Sequence, residues 1–264
     1  MNPLPYLCAA CLSLALSPAF AVTRPDAASI VRRSVDANMR NYVALPSFNY
    51  YKVEQGKDGI SRTYEEIMLF GSRYSRLVAV NGEPLPPDRQ MDEQRSLEQA
   101  TQRRASESPA GRAKRVAVYE QERQRDQFLL NEMANAFEFT LAGEQSMGGR
   151  DVYVLKARPR RGYRPPNNRA RVLTGMEGTL WIEKSSLQWV RVEAEVIRPV
   201  LIEGFLARVL PGTRFELDQA PVSDLWLPSH FSMKARARIL FVFSKADNQD
   251  ETYYGYYPAS ASTD

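Results

Sequence analysis

Residues 178–197 read GTLWIEKSSLQWVRVEAEVI, and this stretch decides the fold class. It predicts a strand over 178–182, a turn at 183–186 and a second strand over 187–197. Successive side chains of a strand point to opposite faces. In the second strand the apolar set is Val190, Val192, Ala194 and Val196, and it alternates with Trp189, Arg191, Glu193 and Glu195. One face is therefore expected to be buried and the other to meet water, which is typical of an antiparallel sheet.

Further strand patterns flank this pair, with turn signals such as Gly56-Lys57-Asp58-Gly59 and Asn81-Gly82 between them. The additional strands are predicted at 47–55, 60–70, 73–80, 137–141, 151–157, 203–210, 213–219, 230–243 and 252–257. An amphipathic helix over 26–42 precedes them, capped by Asp26. The sequence predicts a single domain over 22–264 that is mainly β with some α.

A charged segment at about 86–136 interrupts the strands. Its second part, 112–136, has apolar residues near its ends and a polar middle at 120–127. The segment is predicted to form a helical insert. Two interpretations stay open: a solvated helical hairpin, since charge runs usually mark exposed faces, or a mobile lid over a cavity.

The N-terminus has the pattern of a secretion signal. Residues 7–16 are apolar or small, and Ala19-Phe20-Ala21 forms a cleavage site. The apolar run is about half of the roughly 20 residues that a membrane span needs. Residues 1–21 are therefore predicted to be a signal peptide and the mature protein to lie in the periplasm. Both cysteines, Cys8 and Cys11, fall within the signal, so the mature chain offers no disulfide or thiolate.

Catalytic and metal-binding motifs are missing from the sequence. His230 is the one histidine, and no nucleophile elbow, zincin helix or phosphate-binding loop is present. Transition-metal sites usually need several His or Cys ligands, so neither a metal nor a cofactor is predicted. Glu193 and Glu195 leave a carboxylate-based hydrolase open as an alternative, because carboxylate spacing is set by the fold. The chain is predicted not to be an enzyme.

A basic loop extends from 156 to 171, in a chain of net charge +4. Its cations are Lys156, Arg158, Arg160, Arg161, Arg164, Arg169 and Arg171, with no acidic residue among them. Arginines grip phosphates bidentately, so an anionic membrane surface or envelope protein is a candidate partner, bound through Arg158, Arg160, Arg161 and Arg164. The alternative is a solvated loop that aids solubility. Nucleic acid is excluded as a partner because the predicted compartment is wrong.

The apolar strand faces give the other candidate site. Their members are expected to share the buried side of the sheet: Leu180, Ile182, Val190, Val192, Phe231, Met233, Ile239 and Phe241. These residues either fill a core or line a lipid-binding cavity, and periodicity does not separate the two.

Residues 178–193, GTLWIEKSSLQWVRVE, resemble the strand-turn-strand element of the LolA-like superfamily of periplasmic lipoprotein carriers and outer-membrane lipoprotein-sorting proteins. The resemblance implies a curved, incomplete antiparallel half-barrel. An N-terminal helix and the helical insert would lie on its concave face, over a cavity for acyl chains. It also implies non-enzymatic binding or transport of lipids or lipoprotein acyl chains.

The long insert and the basic loop depart from the dedicated carriers, and no functional residue of the family is carried over. An envelope interaction module that uses the basic loop therefore stays open as an alternative.

Overall fold

The computed structural model describes residues 26–202, 207–239 and 243–259. The predicted signal peptide and Phe241 lie outside the described residues. Within these ranges the helices are α1 (Ala27–Ala44), α2 (Pro87–Ala105) and α3 (Pro109–Ala136). None of these helices is long and apolar enough to cross a membrane.

The strands range in length from 2 to 16 residues. They are β1 (Phe48–Gln55), β2 (Ser61–Leu69), β3 (Ser72–Val80), β4 (Glu83–Pro84), β5 (Phe137–Met147), β6 (Arg150–Pro159), β7 (Met176–Glu183), β8 (Trp189–Val196), β9 (Val200–Ile202), β10 (Ala207–Val209), β11 (Arg214–Val222), β12 (Leu225–Ile239) and β13 (Phe243–Pro258).

All strands join one antiparallel sheet in the order β4-β3-β2-β1-β13-β12-β11-β8-β7-β6-β5, with β9 and β10 attached beside β12. The chain returns from β13 to pair with β1, so the first and last strands meet in the middle of the sheet. The two ends, β4 and β5, do not pair within the described part of the chain. The sheet is therefore open, and the predicted fold class, an incomplete barrel with an N-terminal helix and a helical insert, is confirmed.

The turn between β7 and β8 changes the predicted face of one residue. The Glu183 carboxylate accepts hydrogen bonds from the backbone N–H of Ser186 at 2.6 Å and from the hydroxyls of Ser185 and Ser186. A register shift follows, in which Ile182 pairs with Trp189 while Trp181 pairs with Arg191. The prediction that Trp189 lies on the wet face was wrong, because this bulge turns the indole into the core, where it is 1% exposed.

Helix α1 is held on the sheet by its apolar stripe and by buried polar contacts. Ile30, Val31 and Val35 enter the same core cluster as the strands β6–β8. The Trp189 indole N–H donates to the Ser34 hydroxyl at 3.0 Å. Near the other end of α1, Asn41 donates to the Gln188 side chain at 2.6 Å. These contacts fix α1 over strands β6, β7 and β8.

The insert is anchored to the turn between β2 and β3 by two arginines. From α2, Arg104 donates to the carbonyls of Leu69 and Ser72 at 2.9 and 3.0 Å. From α3, Arg115 donates to the carbonyl of Phe70 at 3.1 Å. The end of α2 and the start of α3 are therefore both fixed at the turn between β2 and β3.

Candidate binding face

The sheet has one face covered by α1, here called the inner face, and an opposite, outer face. A row of directly paired residues crosses the inner face: Leu155, Leu180, Val192, Leu217, Phe231, Glu251 and Glu54. Directly paired residues share a face. The row is apolar from β6 to β12 and becomes charged at β13, so the inner face has an apolar half and a polar half.

The predicted lining residues nearest to α1 form a closed core. Leu180 and Ile182 are 1% and 0% exposed. They pack in one cluster with Val31 of α1 and with Leu155 and Trp189. Protein cores of this kind leave few voids larger than a water molecule. At these two positions the inner face is filled by the protein itself.

Farther along the row, the apolar residues are only half-buried. Val192, Phe231 and Met233 all keep part of their surface accessible. Met233 pairs with Phe215, which packs at the border of the core cluster. The apolar end of α3 borders the same cluster and is also half-buried, with Phe128, Leu129, Leu130 and Met133. We call Val192, Phe215, Leu217, Phe231 and Met233 the apolar strip.

The remaining lining residues are distributed differently. Val190 is the extra residue of the bulge opposite Ile182 and is half-buried. Ile239 is at the last position of β12, where it pairs with Ala207, and its side chain is outside the described part of the structure. The structure thus brings together Leu180, Ile182, Val192, Phe231 and Met233 on one face.

The polar half of the inner face is built around Lys52. Its ammonium lies 2.6 Å from a Glu54 oxygen and 3.2 Å from a Glu66 oxygen. Burial opposes its charge, but the hydrogen bond to Glu54 and the charges of Glu66 and Glu251 raise the pKa of Lys52 above its usual range. Glu66 also accepts from the Ser75 hydroxyl at 2.8 Å. Lys52 therefore stays protonated among carboxylates.

Tyrosines surround this cluster. The Tyr50 ring packs against Tyr253 and Tyr256 at centroid distances of 5.8 and 5.1 Å. The Tyr253 hydroxyl donates to Glu251, and burial first and this hydrogen bond second raise the pKa of Tyr253 well above its usual range. The Arg73 guanidinium lies 4.4 Å from the centroid of the Tyr50 ring. The polar half is consequently a mixed aromatic and charged surface.

The residues considered for catalysis lie on the outer face and are charge-paired. Arg191 binds Asp218 through two hydrogen bonds of 2.6 and 2.9 Å, and Glu193 lies 3.7 Å from the same guanidinium. Glu195 accepts from Arg214 at 3.1 Å. Each of these carboxylates therefore already faces an arginine.

His230 is also on the outer face. Its Nε2 lies 3.3 Å from an Asp250 oxygen, and its Nδ1 lies 3.9 Å from Asp218. One ligand atom each from Glu216, Asp218 and His230 would lie close enough to hold a cation, within 4.8 Å of one another. Arg191 already occupies this position as the cation, 3.2 Å from Glu216 and 2.6 Å from Asp218.

The arginines of the basic loop differ in their contacts: some bond to the protein, and others are exposed. Arg160 donates to the carbonyls of Ala134 and Phe137 at 3.2 and 3.1 Å, so it caps the end of α3. Arg158 borders an outer-face groove of about 650 Å³ whose other lining residues include Glu177, Glu193, Glu195 and Lys234. Arg161 and Arg164 are exposed and form no ion pair with another described residue.

The polar half was not predicted as a site. Most of its residues occupy alternate positions of β1 and β13, and Glu66 and Arg73 come from β2 and β3. Those on β1 and β13 are Tyr50, Lys52, Glu54, Gln249, Glu251 and Tyr253. A charged residue at every second position reads as the solvated face of a strand. The tyrosines in 47–55 and 252–257 were the available signal.

No protein-family model and no curated protein matches the chain. Solved structures that align with it include a LolA superfamily protein from Nitrosomonas europaea, at 10% identity and a TM-score of 0.32, over 90% of this chain and 95% of that chain. A domain described as an outer membrane lipoprotein-sorting protein, from Vibrio parahaemolyticus, aligns at 9% identity and a TM-score of 0.31, over 88% and 94%. MucB in the MucA/MucB complex of Pseudomonas aeruginosa aligns at 13% identity and a TM-score of 0.26, over 90% and 100%. One of these structures carries the name of the superfamily that residues 178–193 resemble.

Proposed function

We propose that this chain is a non-catalytic periplasmic protein that binds an amphiphile, a lipid or a lipoprotein acyl chain, on the inner face of its sheet. The observation that carries the proposal is the apolar strip, which is half-buried and runs directly into the polar half at Phe231 and Glu251. An acyl chain would lie along the strip, between β11–β12 and α3. Its head group would reach the strands β13 and β1.

The energetics support reversible binding. Burying about twelve methylenes at roughly 0.8 kcal/mol each contributes on the order of 10 kcal/mol before association costs. An association cost of about 4 kcal/mol leaves about 6 kcal/mol, which corresponds to an affinity of tens of micromolar. Such an affinity allows both capture and release, as a carrier in a sorting route to the outer membrane requires.

The contact between α1 and α3 supports access to the strip. Tyr42 and Arg123 bond each other's backbone: the Arg123 guanidinium donates to the Tyr42 carbonyl at 2.7 Å, and the Tyr42 hydroxyl donates to the Arg123 carbonyl. Gln127 and Met39 meet at 2.8 Å beside this pair. Water replaces polar contacts of this kind at little net cost. This polar contact between the middle of α3 and α1 can thus open more easily than an apolar contact would.

A non-catalytic role agrees with the state of the polar groups. Glu193 and Glu195 are paired with arginines, and His230 lies between two aspartates. A general base acts on a nucleophile or water within hydrogen-bond reach, and the contacts of these groups go to charged side chains instead. The half-buried apolar strip of the inner face is therefore suited to binding and not to catalysis.

The wild-type protein tests the proposal directly. Protein purified from an envelope fraction should yield an acyl lipid on organic extraction and mass spectrometry. The delipidated protein should take up a fluorescent fatty acid with micromolar affinity, because the strip offers a half-buried apolar surface. Absence of both extracted lipid and uptake would overturn the proposal.

A second candidate function is binding to an anionic membrane surface or envelope protein through the basic loop. The observation in its favour is the pair of exposed arginines, Arg161 and Arg164, which form no ion pair with another described residue. Basic residues near an anionic surface contribute on the order of 1 kcal/mol each. This contact would place the protein next to a lipid source.

Replacing Arg161 and Arg164 together with Ser should weaken binding to vesicles that contain anionic lipid by about 2 kcal/mol, roughly thirtyfold. The difference should shrink as salt rises, because salt screens exposed charges. Vesicle co-sedimentation measures it. The double change of Arg89 and Arg103, exposed on α2, is the matched control. Equal losses in both double variants would reject the loop as the contact.

A further inference from the structure

The polar half of the inner face contains one buried acceptor and one buried donor that the protein leaves without hydrogen bonds. Glu66 is 3% exposed, and its Oε1 accepts no hydrogen bond, since Lys52 lies within ion-pair distance but outside hydrogen-bond geometry. The Nη1 atom of Arg73 is also buried and has no acceptor. Buried polar groups without a hydrogen bond are uncommon in native proteins, and each calls for an explanation such as a bound ion or water.

These two groups are neighbours on the same face. Glu66 pairs with Ser75 and Met68 pairs with Arg73 in the ladder of β2 and β3. Because strand residues two apart share a face, Glu66 and Arg73 both point to the inner side. The α3 helix covers this region, with the Tyr119 hydroxyl 3.6 Å from the Met68 sulfur.

The charge of the cluster is mixed. Its cations are Lys52 and Arg73, and its carboxylates are Glu54, Glu66 and Glu251. Solvent reaches the border of the cluster, where the side chains of Lys52 and Glu54 are 19% and 39% exposed, whereas Glu66 Oε1 and Arg73 Nη1 lie beneath it and are buried. A ligand of either single charge would suit one of the two atoms without a hydrogen bond, Glu66 Oε1 or Arg73 Nη1, and oppose the other. A ligand that carries both charges satisfies both.

We propose that the polar half is a head-group site for a zwitterionic amphiphile, with a primary ammonium at Glu66 and a phosphate at Arg73. The inference rests on the proposed function, because the apolar strip holds the acyl chain of the same molecule. The strip meets the polar half where Phe231 pairs with Glu251 and Met233 pairs with Gln249. Aminophospholipids have this chemistry: an ammonium and a phosphate next to acyl chains.

The test uses the delipidated full-length mature protein and competition against a bound fluorescent fatty acid. The probes share one acyl chain: lysophosphatidylethanolamine, lysophosphatidic acid and the free fatty acid. The wild type should bind lysophosphatidylethanolamine about tenfold more tightly than either other probe. Glu66→Gln should remove that preference and leave the affinity for lysophosphatidic acid unchanged, since the phosphate contact at Arg73 remains. Glu83→Gln, an exposed change on β4, should behave as wild type.

The remaining outcomes separate the two proposals. If the fatty acid binds but the three probes compete equally, or if Glu66→Gln keeps the preference, the head-group site is wrong and acyl binding stands. If no probe and no fatty acid binds, both fail. Free phosphoethanolamine should not compete at the same concentrations; if it competes as well as the lysolipid, the site takes a soluble zwitterion and the amphiphile inference is overturned. Retained fatty-acid binding by Glu66→Gln shows that the variant is folded.

Discussion

Trp189→Ala should lower the free energy of unfolding by about 3–5 kcal/mol, the usual cost of removing a buried aromatic side chain. The indole is 1% exposed and packs where α1 meets β7 and β8. Its loss would also remove the hydrogen bond to Ser34. Urea denaturation followed by circular dichroism measures the change, because it does not depend on tryptophan fluorescence.

Two further variants separate the contributions to this loss. Trp189→Phe keeps most of the ring burial and removes the hydrogen bond to Ser34, so it should cost only about 1 kcal/mol. Trp181→Ala is the matched control, since Trp181 is on the neighbouring strand but on the outer face, where it is half-buried opposite Arg191. If Trp181→Ala destabilises the protein as much as Trp189→Ala, the assignment of the core to the inner face is contradicted.

The position of Trp189 could not be predicted from the sequence pattern. The alternation in 189–196 correctly predicts a strand with one apolar face, and β7, β8 and their pairing follow from it. Alternation alone does not reveal a bulge, because an extra residue shifts the faces without changing the composition. The bulge follows from the buried Glu183, whose hydrogen bonds extend the turn to Gln188.

The candidate site was predictable only in its apolar half. Phe231 and Met233 share a face by strand periodicity, so their grouping could be predicted. The depth of each residue could not be, because it depends on where α1 lies: Val31 covers Leu180, while Phe231 remains half-buried. The polar half depends on β13 returning to pair with β1, a contact between strands about 200 residues apart that local patterns do not encode.

Met233→Asp should reduce the affinity for a fluorescent fatty acid by more than a hundredfold, roughly 3 kcal/mol. Met233 lies on the apolar strip beside Phe215. A carboxylate there stays hydrated in the free protein and would have to lose its water against an acyl chain, which is costly without a partner. Because Met233 is half-buried, the free protein can keep the carboxylate in contact with solvent and remain folded.

Lys234→Asp is the matched control for this prediction. It introduces the same side chain one residue farther along β12, on the exposed outer face opposite Arg214. It should leave uptake within twofold of wild type, whereas Met233→Leu should keep uptake because it preserves the apolar surface. Thermal unfolding of each variant checks that the fold survives. If a folded Met233→Asp variant takes up the fatty acid at the wild-type affinity, the acyl chain does not bind at the apolar strip. A buried acyl chain next to an unpaired carboxylate would lower the affinity.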